Sequence, residues 1–402
     1  MDFASRLGPE LGLVGLMVKA ILFSVAGIVA LITFIALRRW YRGRYFQRVG
    51  ERTFVLRSQW NDILTGKVPA ASWRLKRLDC EIVESMLLDR LELAALPEEL
   101  PPLLNCLRTS GLLDMRILQA RAESGWKRRA ALIALGRTRA PEVVPALAEA
   151  LDATDEETRI AAARALGHTE LPEAAIPVME HLLWGSQRIP EHVIKNALVN
   201  CCHNSPRILL RYLKQSTGGQ RALLARVLGE LATPELGEDL ILLATDSDAE
   251  VRASAARAMG NSQPDFALPV LSAMVTDTEW FVRLRAVVAL ASIHHRGRIR
   301  PLLHALCDSS RHVRLRAAWA LAQMGSNLDD IFNQVVETQD NYALQAFTSE
   351  LERSGAIDGL VKALEKKGDQ NEAHQILLET LHAARQNIAQ GAKVLSVSAG
   401  AR

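Results

Sequence analysis

Cys201, Cys202 and His203 stand together, with His192 eleven residues earlier, and make the nearest thing to a metal-ligand cluster in this 402-residue chain. Zinc sites favour cysteines two to four residues apart, and adjacent helical residues point about 100° apart. A packed helix therefore fits this run better than a metal centre. His294-His295, with His304 and His312, is similarly scattered. Gly-rich phosphate loops and the Gly-x-Ser-x-Gly elbow are absent, so the expectation is a non-enzyme with no catalytic residue, cofactor or metal. What remains is arginine. Arg128, Arg159, Arg221, Arg252, Arg283 and Arg314 lie on a lattice of period 31, with one slot skipped. Residues two, five and nine after each share a helical face. That face holds Arg164, Arg226 and Arg257 at five, Arg285 and Arg316 at two, and Arg137 and His168 at nine. Such a ridge attracts an acidic protein segment, a polyanion or a nucleic acid. The competing reading is a solvated helix surface, whose ion pairs contribute roughly a few tenths of a kcal/mol each.

The elements that must carry this ridge repeat with it. Asp246, Asp277 and Asp308 lie six residues before their arginines, and Leu147, Val178, Leu209, Leu240, Leu271 and Leu302 recur every 31 residues, twelve before the slots from 159 to 314. Gly136, Gly167, Gly229 and Gly260 fall eight after. A fixed period of this length marks stacked units, none of which buries its apolar face alone. In the unit of Arg252, Pro234 opens a first helix containing Leu240–Ala244, Asp246-Ser247-Asp248 is a capping turn, and Glu250–Met259 forms the second helix. Gly260 is expected to take the left-handed C-cap. Alanines Ala162, Ala255, Ala286 and Ala317, three after the arginines, keep the second helix slim.

This Asp–x–x–x–x–Val–Arg–x–x–Ala–Ala–x–Ala–Leu–Gly grammar resembles HEAT repeats, most closely the short type of phycobilisome-lyase-like proteins. The resemblance covers roughly residues 110 to 385 and is specific for fold, weak for function. It implies an all-α, right-handed solenoid of about eight or nine helix pairs, whose second helices line the concave side. It also implies that Asp246, Asp277 and Asp308 form a structural inter-repeat ladder with Arg252, Arg283 and Arg314. HEAT-like metal hydroxylases carry His-Glu pairs, and no such dipeptide occurs here.

The lattice has defects. Pro190 occupies an arginine slot, which shifts the second helix to Glu191–His203, and Gln345 occupies the last. Ile357–Glu365 and Glu372–Arg385 read as a terminal capping pair, and residues 386–402 as a frayed tail. Upstream, residues 38–110 contain an amphipathic stretch from Phe54 to Leu64 and a helix from Ser72 to Leu93, with Leu75, Leu78, Ile82, Val83, Met86, Leu87 and Leu91 on its apolar stripe. They form either an N-terminal cap of the stack or a separate adaptor domain.

Residues 11–37 carry one charge, Lys19, and Ala20–Leu37 none, which suffices to cross a bilayer. The run is longer than the apolar part of a signal peptide, so a retained transmembrane helix is expected, after a short extracytoplasmic stretch at 1–10. Seven arginines follow between Arg38 and Arg57, against Glu51. The positive-inside rule then puts the repeats at 111–385 in the cytoplasm, as for a bacterial inner-membrane protein. Trp40, Tyr41 and Tyr45 suit the interfacial belt. Five scattered cysteines agree with a reducing compartment, and a net charge of +3 is mild for a nucleic-acid binder. The expected function is a membrane-anchored scaffold offering a groove to a protein partner with an acidic segment. The alternatives are nucleic-acid binding, as in HEAT-like DNA glycosylases, and a bilin-lyase-like enzyme.

Overall fold

The computed structural model describes residues 4–93, 97–186, 188–233, 236–325, 328–365 and 375–379. Among these the regular structure is helical throughout, and the chain divides into two units, Met1–Gln119 and Ala120–Arg402.

In the first unit α1 (Ala4–Ser58) is one continuous helix of 55 residues. From Ala20 it contains a stretch long and apolar enough to cross a membrane by length and composition, and its apolar side chains are exposed. The helix does not end with that stretch at Leu37. No proline interrupts 38–58, so the rod continues about 30 Å beyond Leu37 at 1.5 Å per residue. Arg44 lies over the Trp40 ring at 4.4 Å. The sequence Phe54–Leu64 is therefore shared between the end of α1 and α2 (Trp60–Leu64), rather than forming one helix. Similarly, 72–93 is broken into α3 (Ala71–Arg74) and α4 (Arg77–Leu93). Leu75 sits in the break and is 87% exposed, off the apolar stripe expected for it. The unit closes with α5 (Leu100–Thr109) and α6 (Leu112–Ala122), which carries the chain across the 119/120 boundary.

Leu56, Trp73, Val83, Leu87, Leu103 and Leu107 are central to the core beneath these helices. Two forked ion pairs pin it. Arg52 on α1 donates to both oxygens of Asp79 at 2.9 and 2.5 Å, and Arg116 on α6 to both of Glu84 at 2.6 Å. The Arg52 guanidinium holds the buried Asp79 carboxyl below the usual carboxylate range, against the opposing effect of burial.

In the second unit α7 (Gly125–Gly136) precedes a run of pairs. The first are α8 (Val144–Glu149) with α9 (Glu156–Thr169), and α10 (Pro172–Trp184) with α11 (Glu191–Cys202). Then come α12 (Ile208–Gln215) with α13 (Gly218–Leu231), and α14 (Gly237–Ala244) with α15 (Ala249–Ser262). The last are α16 (Ala267–Met274) with α17 (Trp280–Ser292), α18 (Ile299–Leu306) with α19 (Arg311–Ala322), and α20 (Leu328–Glu337) with α21 (Asn341–Ser354). α22 (Ile357–Glu365) opens a further pair; of 372–385 only 375–379 are described, and they are helical. Pro234 and the tail 386–402 lie outside the described residues. The second helices α7, α9, α11, α13, α15, α17, α19 and α21 pack each on the next, which is the order of an α-solenoid.

The period-31 leucine register is the buried layer: Leu147, Leu209, Leu240, Leu271 and Leu302 are fully buried, and Val178 nearly so. Asp248 caps α15 by accepting the Glu250 amide. Pro190 is the N-cap of the shifted α11.

The lattice glycines, however, are not caps. Gly260 lies inside α15, and the left-handed residues come three positions after three of the glycines: Arg139 (φ 52°), Glu170 (φ 56°) and Gln263 (φ 45°). What the glycines permit is contact between neighbouring second helices. A Cβ on Gly136 would stand 2.6 Å from Ala165 Cα, one on Gly167 2.7 Å from Ala197 Cα, and one on Gly260 2.9 Å from Ala289 Cα. On Gly229 it would meet the Ser254 carbonyl at 2.9 Å. Backbone touches backbone there, so any side chain must push two helices apart.

Candidate functional site

Two sets of arginines face different tasks. Arg221, Arg252 and Arg283, at the lattice positions themselves, reach forward one repeat. Arg221 pairs with Asp246. Arg252 donates to Asp277 at 2.7 and 2.9 Å, and Arg283 to Asp308 at 2.6 and 2.9 Å. Arg252, Arg283 and Arg314 also donate backward, to the carbonyls of Asp246, Asp277 and Asp308 at 2.9, 2.8 and 2.7 Å, whereas Arg221 donates to that of Leu213 at 3.3 Å. The carboxylates accept in addition the amides of Asp248, Glu279 and Ser310, two residues on. The Arg252 hydrogen bond holds the Asp277 carboxyl below its usual range despite burial. For Asp308 burial pushes upward, but Arg283 and the Ser310 amide prevail and the net direction is down.

The ladder stops where its carboxylates do. The slot after Arg314 holds Gln339, and the guanidinium lies instead over the Tyr342 ring at 5.4 Å. The slot after Arg159 holds Trp184. Buried Arg159 donates to the carbonyls of Ala153, Thr154 and Arg188 at 2.8, 2.9 and 3.3 Å.

The second set lies on the second helices, at the positions two and five after the lattice arginines, and its members are not equivalent. Arg226 pairs with Glu191. Arg257 reaches Glu230 at 3.2 Å, and Glu230 also receives Lys195 at 2.6 Å. Arg316 stacks over Trp319 at 4.2 Å, with its Nε buried and without a hydrogen-bond partner. Arg164 and Arg285 are exposed and form no ion pair with any described residue. The ridge is thus partly neutralised by Glu191 and Glu230, which the sequence reading passed over. Glu230 occupies the nine position after Arg221, so its place on this face was readable. Glu191 stands in the shifted unit, where the register gave no guide.

The histidine and cysteine runs have structural surroundings. Cys201 and Cys202 are buried, and burial pushes both thiols up to about 12. Cys201 Sγ–H donates to the Leu166 carbonyl at 3.2 Å, and His203 is exposed at the end of α11. A cavity of about 470 Å³ is lined by His294, His295, Arg296 and Arg298. There Arg298 donates to the carbonyls of Ala291 and Ile293 at 2.7 and 2.5 Å, and His295 Nδ1 accepts the Gly297 amide at 3.0 Å. These contacts close the turn after α17. Among the described residues, no group of three or more His, Cys, Asp or Glu side chains is arranged to hold a metal ion.

A family model described as HEAT repeats matches residues 113–194, 207–291 and 269–352, more than half of the chain. The chain belongs to the HEAT-repeat family. Solved HEAT-like neighbours are distant in both sequence and superposition. An engineered protein is 20% identical, with 80% of this chain and 98% of that one covered and a TM-score of 0.33. The complex of CpcE and CpcF of phycocyanin lyase from Nostoc sp. PCC7120 is 20% identical over 55% of this chain and 92% of that one, with a TM-score of 0.24. Human deoxyhypusine hydroxylase is 17% identical over 63% and 98%, with a TM-score of 0.26. No curated protein sequence matches the chain. A HEAT-repeat stack of this kind is suited to protein interaction.

Proposed function

We propose that this protein is a non-enzymatic scaffold anchored in a membrane by α1, which presents its second-helix face in the cytoplasm to a protein partner bearing an acidic segment. The observation that carries the reading is how the polar groups are distributed. Arg252 and Arg283 are satisfied by Asp277, Asp308 and the turn carbonyls between repeats, whereas Arg164 and Arg285 stand exposed and without an ion pair to a described residue. The uninterrupted α1 supports anchoring, because the apolar stretch and the arginine-rich segment after it are one helix. The arginine bias favours a cytoplasmic location for the repeats, as in a bacterial inner membrane.

Nucleic acid fits the face less well. Glu191 and Glu230 place carboxylates among the cations, and phosphate backbones demand unopposed positive charge.

The test is a paired substitution in the full chain, Arg257→Glu with Arg285→Glu. Partner recovery from solubilised membranes should fall at least about tenfold while the helical melting transition stays nearly unchanged. Recovery equal to wild type would show the ridge to be ordinary solvated surface.

A further inference from the structure

The second-helix face contains one cleft that the ridge does not describe. Between α9 and α11 a cavity of about 240 Å³ is lined by Arg164 and His168 from one helix and His192, Asn196 and Asn200 from the other, over a floor that includes Gly167 and Ala197. The spacing explains the cluster. Arg164 and His168 are one helical turn apart, and so are His192, Asn196 and Asn200 in succession. Gly167 lets the two helices touch at Ala197, which brings these two polar rows to opposite sides of one narrow seam.

The neighbouring seam shows what is unusual. Between α11 and α13 the charges are matched: Glu191 with Arg226, and Lys195 and Arg257 with Glu230. In the α9–α11 cleft no carboxylate lines the wall, and Arg164 has no ion pair with a described residue. One fixed cation is surrounded by four side chains that donate hydrogen bonds, two amides and two imidazoles. The amides and imidazoles can accept as well as donate, but the only formal charge on the lining is the Arg164 cation with no carboxylate against it, which favours a single oxyanion over a cation.

We infer that this cleft is a recognition pocket for one carboxylate, the side chain of an aspartate or glutamate in an extended segment of the protein partner. The inference rests on the scaffold reading and names the anchoring point within it. Two features set the ligand class. The volume is below the roughly 300–1,000 Å³ of small-molecule sites and suits one side chain. A single guanidinium matches one negative charge, whereas phosphorylated side chains, with about −1.5 to −2, are taken by arginine clusters. Arg164 forms the charged bond, Asn196 and Asn200 fix the carboxylate plane through their amides, and His168 and His192 close the ends.

The full chain in neutral-lipid nanodiscs is titrated with a fluorescent hexaglutamate peptide, read by anisotropy, beside hexaglutamine and a phosphoserine peptide of equal length. Hexaglutamate should bind best, and Arg164→Gln, or Asn196→Leu with Asn200→Leu, should each weaken it by at least about tenfold. Arg164→Lys should recover part of the loss, and Arg300→Gln, exposed on the first helix α18 and off this face, should change it by less than about twofold. Circular dichroism of each variant establishes that it is folded. Equal binding of hexaglutamine, unchanged affinity in folded Arg164→Gln, or no binding to wild type overturns the pocket. Tighter binding of the phosphoserine peptide overturns the carboxylate assignment. None of these outcomes alters partner recovery by the Arg257 and Arg285 variants, so the pocket can fail while the scaffold stands.

Discussion

Arg252 grips both oxygens of Asp277, 25 residues ahead, and the carbonyl of Asp246, six residues behind. One side chain therefore fastens the turn of its own repeat to the turn of the next. Arg283 repeats the arrangement with Asp308 and Asp277.

The pair is mostly shielded, with 15% and 11% of the two side chains exposed, so it lies between a surface bridge and a buried one. Asp277→Ala should destabilise the second unit by roughly 1–3 kcal/mol, since it leaves a guanidinium without its charged partner. A double-mutant cycle with Arg252→Ala should give a coupling above about 0.5 kcal/mol. Additive losses in denaturant melts would mean that the two residues act separately.

The glycine contacts make a prediction of opposite signs. Gly136→Ala gains about 1 kcal/mol of helix propensity, but its methyl meets the Ala165 backbone, and overpacking costs typically 1–3 kcal/mol. Net destabilisation is expected there. Gly219→Ala, near the start of α13 with nothing within 4 Å, should stabilise by about 0.5–1 kcal/mol. Melting temperatures moving in the same direction for both would contradict the contact.

The spacing of Gly136, Gly167, Gly229 and Gly260 was legible, and so were the helix pairs and the buried leucine register. The task of the glycines was not, because spacing records a repeat and not the distance between neighbouring helices. The left-handed turns fall on Arg139, Glu170 and Gln263, residue types that advertise no such conformation. On the candidate face, the arginines were legible from helical phase. Which of them are already paired depends on Glu191 and Glu230, one of them in the unit whose register Pro190 shifts. The carboxamide and imidazole cleft was hidden for the same reason: its rows are in step across the seam only because α11 is displaced.

The ladder also sets an acid response. Asp277 and Asp308 have carboxyls held below the usual range in the folded chain. Their stabilisation is complete above the unfolded value near 4 and is lost as pH falls through the folded value. The melting temperature should be level from neutrality to about pH 5 and decline below about pH 4. Asp277→Asn with Asp308→Asn should be less stable at neutral pH and show a shallower decline. An identical slope in variant and parent would remove the ladder as a cause.

For the anchor, Ile28→Arg with Val29→Arg places two charges near the middle of the apolar stretch, each costing about 2.5–3.5 kcal/mol in a bilayer. Parent protein should stay with membranes through alkaline carbonate washing, and the variant should be released. Release of the parent would argue against a spanning α1.

The central claim is tested most directly by site-specific photocross-linking in intact membranes, with the probe placed at Arg285 on α17 or at exposed Leu242 on the first helix α14. A partner engaged on the second-helix face predicts a discrete cross-linked product from position 285 in the membrane fraction and none from position 242. A product from 242 with none from 285, or a chain recovered wholly outside the membrane fraction, would contradict it.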